Sequence, residues 1–321
     1  MIINFNFDTS KVEFIWQQNN NKYFAVNFLM EHIASKNFSA IIEEVLASSP
    51  DIVEILKKEK NYAIIPDEVM GYGFLEIPSS RWNSQKYFST KFDLLYNKDK
   101  NLINYNELMS SNKSLSTYFF ASAKQSIISE IISTFAKYQI RIFGISFYGK
   151  VLTDYLIKTH PSLSKQNILI VEKEENIKIY ASALGKFVGY KKVDLSKNNQ
   201  DFAKKYVKFI KNNVKVNDFT KKDIDKQIYQ TQPEEDVKFD FIQKIDFAIC
   251  DFKSHFVNFA YDVEFNKLVL LNTIPDVTLE DDKVNIEKDE VKILSSYKKS
   301  YLYPQKKGLL WKQKKVFPLQ K

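Results

Sequence analysis

The chain has 321 residues, 44% hydrophobic, 15% aromatic and 27% charged, the composition of a folded protein long enough for two domains and unlike a collagenous or disordered chain. Cys250 is the single cysteine and there are only three histidines, which excludes an internal disulfide and a thiolate-rich zinc site and points to a reducing compartment. The formal charge of +8 is concentrated: residues 291–321 hold nine lysines and no acid, so +8 less nine leaves −1 for residues 1–290 and weighs against nucleic-acid binding by the body.

In chain order, Ile2–Phe7, Val12–Trp16 and Lys22–Asn27 read as a three-strand meander, with Asp8-Thr9-Ser10 as a turn. A helix is predicted over Phe38–Leu46, and Pro50-Asp51 starts another that ends near Glu59. The apolar run Tyr62–Ile65 follows and breaks at Pro66. Residues 71–120 have the look of an insertion, polar from Tyr96 to Ser116, with Tyr118–Ala123 as a strand. The segment Lys124–Tyr138 has apolar residues at 127, 128, 131, 132 and 135, the spacing of one helical face. Strand Ile140–Ser146 precedes a helix to Thr159, stopped by Pro161.

The second half repeats this plan. Asn167–Glu172, Ile177–Ala183 and Lys186–Asp194 read as strands, and Gln200–Asn212 as a helix. Phe239–Tyr261 carries Ile242, Ile245, Ile249, Phe252, Phe256 and Phe259 at steps of three and four, a long amphipathic helix. Lys267–Asn272 reads as a strand buried on both faces.

Few motifs carry chemistry. The chain has only 7 glycines, and no phosphate-loop, dinucleotide, esterase or metalloprotease pattern occurs. Cys250 and His255 stand five residues apart, about 140° around a helix, which turns them away from one another and leaves Cys250 structural. His32 and His160 have no partner visible in the sequence. With no signal-peptide pattern in MIINFNFDTSKVEF and no apolar run of about 18 residues, a protein neither secreted nor membrane-spanning is expected.

This element order, with Tyr118-Phe-Phe-Ala-Ser-Ala-Lys124 after the insertion and Ile140-Arg-Ile-Phe-Gly-Ile145 beyond it, resembles the actin-like ATPase superfamily. Within it the likeness is to the division protein FtsA and the pilus protein PilM, and it spans residues 1–275. The resemblance implies an α/β, duplicated ribonuclease H-like fold with a small inserted subdomain and a basic C-terminal tail. Residues 1–70 and 124–160 would form the first half, 71–123 the insertion, 161–275 the second half and 276–321 the tail.

Where the superfamily places phosphate loops of Asp-x-Gly type and a Gly-Gly adenosine loop, this chain has Asp8-Thr9-Ser10-Lys11, Glu172-Lys173-Glu174-Glu175-Asn176 and Asn272-Thr273-Ile274-Pro275. Glycine is missing at each, and the second is expected to crowd three carboxylates in a turn. Asp8, Thr9, Ser10, Glu172 and Asn272 are therefore read as remnants, with no cofactor expected, ATP and magnesium disfavoured, and no catalysis; Asp8-Thr9-Ser10 also reads as an ordinary hairpin turn.

Near the C-terminus, Leu309, Leu310, Trp311, Lys312, Lys314, Lys315, Val316 and Phe317 interleave apolar and basic side chains, a pattern suited to an anionic membrane surface or an acidic partner. FtsA-like proteins end in a short amphipathic targeting helix, and this tips the reading toward a cytoplasmic scaffold at the inner face of the membrane that binds a tubulin-like FtsZ filament. The alternatives are a PilM-like component holding a cytoplasmic peptide of a membrane protein, and an ATPase with remodelled loops. Self-association stays open.

Overall fold

The structure is a computed structural model and describes residues 1–18, 22–29, 37–79, 83–96, 100–110, 114–173, 177–193, 267–271, 283–286 and 288–296. The expected helices at 200–212 and 239–261, with Cys250 and His255, lie outside these residues, as do His32, Asn272 and the 309–317 segment. The chain divides into two units: Met1–Ser164 with Leu184–Gly189 and Asp289–Lys321, and Lys165–Ala183 with Tyr190–Lys288.

In the first unit, β1 (Ile2–Asn6), β2 (Lys11–Gln18), β3 (Lys22–Leu29), β4 (Asn61–Ile65) and β8 (Ile142–Phe147) form one sheet in the order β3-β2-β1-β4-β8. The meander is antiparallel, whereas β4 runs parallel to both β1 and β8. The sheet is buried through its middle: Ile3, Phe5, Val12, Phe14, Ala63, Ile64, Ile65 and Ile145 are all buried.

Helices α1 (Phe38–Ser48), α2 (Pro50–Lys58), α4 (Gln125–Lys137) and α5 (Tyr148–Thr159) belong to the same unit. Asn37 caps α1 by accepting the Ala40 N–H at 3.1 Å, and Pro50 opens α2, where its missing N–H costs nothing. Glu130 of α4 accepts the Ser39 N–H at 2.7 Å, and Lys137 reaches Glu43 at 2.6 Å, pinning α4 to α1. Gln139 closes α4 at φ 62°, with the Ile140 N–H on the Phe135 carbonyl and the Gln139 N–H on that of Ala136, a Schellman ending. His160 caps α5 and is exposed, without a catalytic setting.

Between β4 and α4 the insertion builds its own sheet. Strands β5 (Met70–Pro78), β6 (Asn101–Ser110) and β7 (Leu115–Lys124) pair antiparallel in the order β5-β7-β6, and α3 (Ser84–Tyr96) packs on β5. Leu75, Ile77, Phe88, Phe92, Tyr118 and Phe120 form its core. A Cβ on Gly73 would lie 2.7 Å from the Phe120 ring, so this close approach requires glycine or a shift of the ring. Strand β6 lies within the polar stretch from Tyr96 to Ser116, where asparagines interrupt its alternation.

The second sheet has β9 (Asn167–Lys173), β10 (Ile177–Ala183), β11 (Lys186–Val193), β12 (Lys267–Leu271) and β13 (Lys283–Ile286), in the order β11-β10-β9-β12-β13. β9 and β10 are antiparallel, and β12 is parallel to both β9 and β13. A two-residue turn, Leu184 at φ 48° and Gly185 at φ 77°, joins β10 to β11 with the positive φ values of a type I′ hairpin. The two sheets thus repeat one strand order, each with a meander at one side and two parallel additions at the other.

The expected tail from residue 276 is corrected by this arrangement. Residues 283–286 are the fifth strand of the second sheet, and α6 (Glu290–Ser295) buries Ile293 and Leu294 in the first unit beside α5, β1 and β2. Asp289 caps α6 by accepting the Lys292 N–H at 3.0 Å. Partial burial pushes its carboxyl up, but the bonds from the Lys292 side chain and amide outweigh this and hold it below the ordinary value.

Candidate functional site

Because β1, β4 and β8 are parallel, their carboxyl ends share one edge of the first sheet, and the strand order reverses between β1 and β4. In open α/β sheets that is where ligands sit. Three segments meet the edge: the turn 7–10 after β1, Pro66-Asp67 after β4, and Tyr148-Gly149 at the start of α5.

In the turn 7–10 two backbone amides are already bonded within the chain. Ser10 stands where the superfamily has glycine and adopts φ 52°, a left-handed conformation costing an L-residue roughly 1 kcal/mol. The N–H groups of Asp8 and Thr9 donate to Asn6 Oδ1 at 3.1 and 3.3 Å. Amides that could face an anion are thus turned onto the chain's own asparagine, an Asx turn. Asp8 is buried at 9% exposure, so its carboxylate is not presented to solvent.

The start of α5 is likewise occupied. Phe147, at the cap position, offers no side-chain acceptor. Asp67 supplies it from β4's carboxyl end: Oδ2 accepts the Gly149 N–H at 2.8 Å while Oδ1 accepts the Tyr72 hydroxyl at 2.5 Å. With only 3% of its surface exposed, the Asp67 carboxylate sits where a helix N-terminus would otherwise take a phosphate. The ring of Tyr72 then packs among Phe119, Phe147 and Phe187, with centroids 5.5 to 6.1 Å away.

In the second unit, Glu172 corrects the expectation of a carboxylate-crowded turn. It belongs to β9 and is wholly buried, with Lys288 Nζ at 2.7 Å, the Tyr180 hydroxyl donating at 3.0 Å and Lys178 Nζ at 4.0 Å. The acid at the second loop position is therefore neutralised inside its own unit. Residues 174–176 and Asn272 lie outside the described residues.

In the first unit the residues do not fit a bound phosphate, because the turn's amides at Asp8 and Thr9 have an internal acceptor and the helix start has an internal anion; in the second unit, taken by itself, Glu172 has internal cations. No group of three or more His, Cys, Asp or Glu side chains suited to a metal occurs among the described residues. Asp67, which the sequence reading did not single out, had one readable signal: an acid directly after Pro66 at the end of a buried strand.

No family model and no curated protein matches the chain. Among solved structures, it is similar to the PilM-PilN type IV pilus biogenesis complex, at 10% identity and TM-score 0.49 over 84% of this chain and 80% of that one. It is similar also to the cytoplasmic domain of EpsL, an inner membrane component of the type II secretion system of Vibrio cholerae, at 9% identity and TM-score 0.48 over 94% and 96% of the two chains. A Bacteroides thetaiotaomicron protein with an actin-like ATPase fold and unknown function matches at 11% identity and TM-score 0.40, over 86% and 82%. The fold assignment rests on the duplicated strand order itself: the chain has the actin-like, ribonuclease H-like duplicated α/β architecture with an inserted subdomain.

Proposed function

We propose that this chain is a non-catalytic actin-like adaptor that binds a short cytoplasmic segment of a membrane protein in a pilus or secretion assembly. The observation that carries the reading is the Asp67 carboxylate held on the Gly149 amide, an internal substitute for a bound phosphate. A fold that has filled its anion slot from within keeps its shape without nucleotide, and its remaining use is as a binding surface. The partner class is taken, as a proposal, from the pilus complex of PilM with PilN. Among the described residues no helix is long and apolar enough to cross a membrane.

The division reading had the 309–317 segment as its distinguishing feature, and that segment lies outside the described residues; no described feature favours an FtsZ-type filament. Fluorescence anisotropy separates the two. The full chain is titrated against labelled N-terminal cytoplasmic peptides of pilus and secretion inner-membrane proteins, and against the C-terminal peptide of the tubulin-like filament protein, from its own source. Saturable binding to a peptide of the first group, unchanged by magnesium ATP, is expected. Binding to the filament peptide alone, or binding that requires nucleotide, would overturn the proposal.

A further inference from the structure

Helix α3 of the insertion has two faces. Phe88 and Phe92 point into the core beneath it, while the opposite face exposes Tyr87, Leu94 and Leu95, the last two at 82% and 57%. Tyr87 and Leu94 are seven residues apart and so only about 20° apart around the helix, with Thr90 between them; Leu95 borders one side. A leucine this exposed on a regular helix, in line with a second large apolar side chain, marks a contact surface.

The flanking charges say what fits it. Lys86 and Asp93, also seven residues apart and both exposed, line one side of the stripe. We propose that α3 pairs with α3 of a second copy of this chain, antiparallel about a two-fold axis through the middle of the stripe. That register sets Tyr87 opposite Leu94 twice, and Lys86 opposite Asp93 twice, so each copy supplies both halves of every contact. A parallel two-fold pair would put the Lys86 and Asp93 flanks of the two copies on opposite sides of the interface, with no pairing between them. Lys91 would meet its own copy near the axis, but its Nζ is drawn back onto the Glu76 carbonyl at 2.6 Å and vacates that position. The inference uses only the insertion and is independent of the proposed function.

Sedimentation velocity of the full chain from about 1 to 100 µM tests it. A reversible monomer–dimer equilibrium is expected, and Leu94→Glu abolishes the dimer. Lys86→Asp alone or Asp93→Lys alone sets like charges together and raises the dimer Kd by about tenfold, and the two combined restore it. A monomer throughout the range, a dimer indifferent to Leu94→Glu, or a charge swap that fails to rescue would overturn the proposal. The swap leaves the apolar stripe intact, so it stays decisive even if Leu94→Glu perturbs the insertion.

Discussion

Glu172→Ala is expected to destabilise the second unit by about 3–5 kcal/mol, because it removes the buried carboxylate on which the Lys288 ammonium and the Tyr180 hydroxyl converge. What costs stability is an uncompensated buried charge, so replacing the whole cluster by apolar residues (Glu172→Leu, Lys178→Met, Lys288→Met) should return most of the loss. Hydrogen exchange of the β9 and β10 amides across a urea series reads the second unit specifically, which matters because a two-unit chain need not unfold in one step. A single-mutant loss under about 1 kcal/mol, or a triple variant worse than the single one, would mean that Glu172 is solvated and free to face a ligand.

The second large effect falls on Asp67. Asp67→Ala removes the acceptor of both the Tyr72 hydroxyl and the Gly149 amide in a site almost closed to water, and a loss of about 3 kcal/mol is expected. Asp67→Asn can still accept from Gly149 and donate to the tyrosine oxygen, so it should lose only about 1 kcal/mol, mainly the charge beside the α5 N-terminus. Chemical denaturation of both variants, with exchange at the α5 amides, gives the comparison. Equal losses for Ala and Asn would place the effect in packing, and no loss for either would contradict a carboxylate seated on the helix.

Much of the architecture was legible because its signals are local. The short apolar runs of β1, β2 and β9 to β11, and the one-sided face of α4, needed no distant partner to be read. The duplication could be inferred from repeated element order alone. Five elements, α3, β5, β6, β13 and α6, were not read from the sequence. β6 alternates among asparagines, and α3 buries Phe88, Ser89 and Phe92 alone while Leu94 and Leu95 on its other side are exposed. β13, the tetrapeptide Lys-Val-Asn-Ile, is a strand because the edge of β12 offers it a backbone ladder, which its own residues do not advertise.

The site was less legible than the fold, and the difference lies in sequence separation. The missing glycines were visible at once, and the Asx turn at Asn6 is a short-range pattern. The two decisive pairings are long-range: Asp67 reaches Gly149 82 residues away, and Glu172 finds its nearest cation at Lys288, in the segment first taken for tail. Read locally, Glu172 beside Glu174 and Glu175 suggests repulsion; folded, it is an anion buried among cations.

On the proposed reading, Asn6 and Asp67 already fill the ligand edge of the first sheet, and nucleotide adds no stability. The direct measurement is the melting temperature of the full chain in millimolar magnesium ATP, beside magnesium alone. A ligand at 100 times its dissociation constant adds about 2.7 kcal/mol of stability, a shift of several degrees for a domain of ordinary size. An unchanged melting temperature is predicted, and a saturable rise with ATP would contradict it.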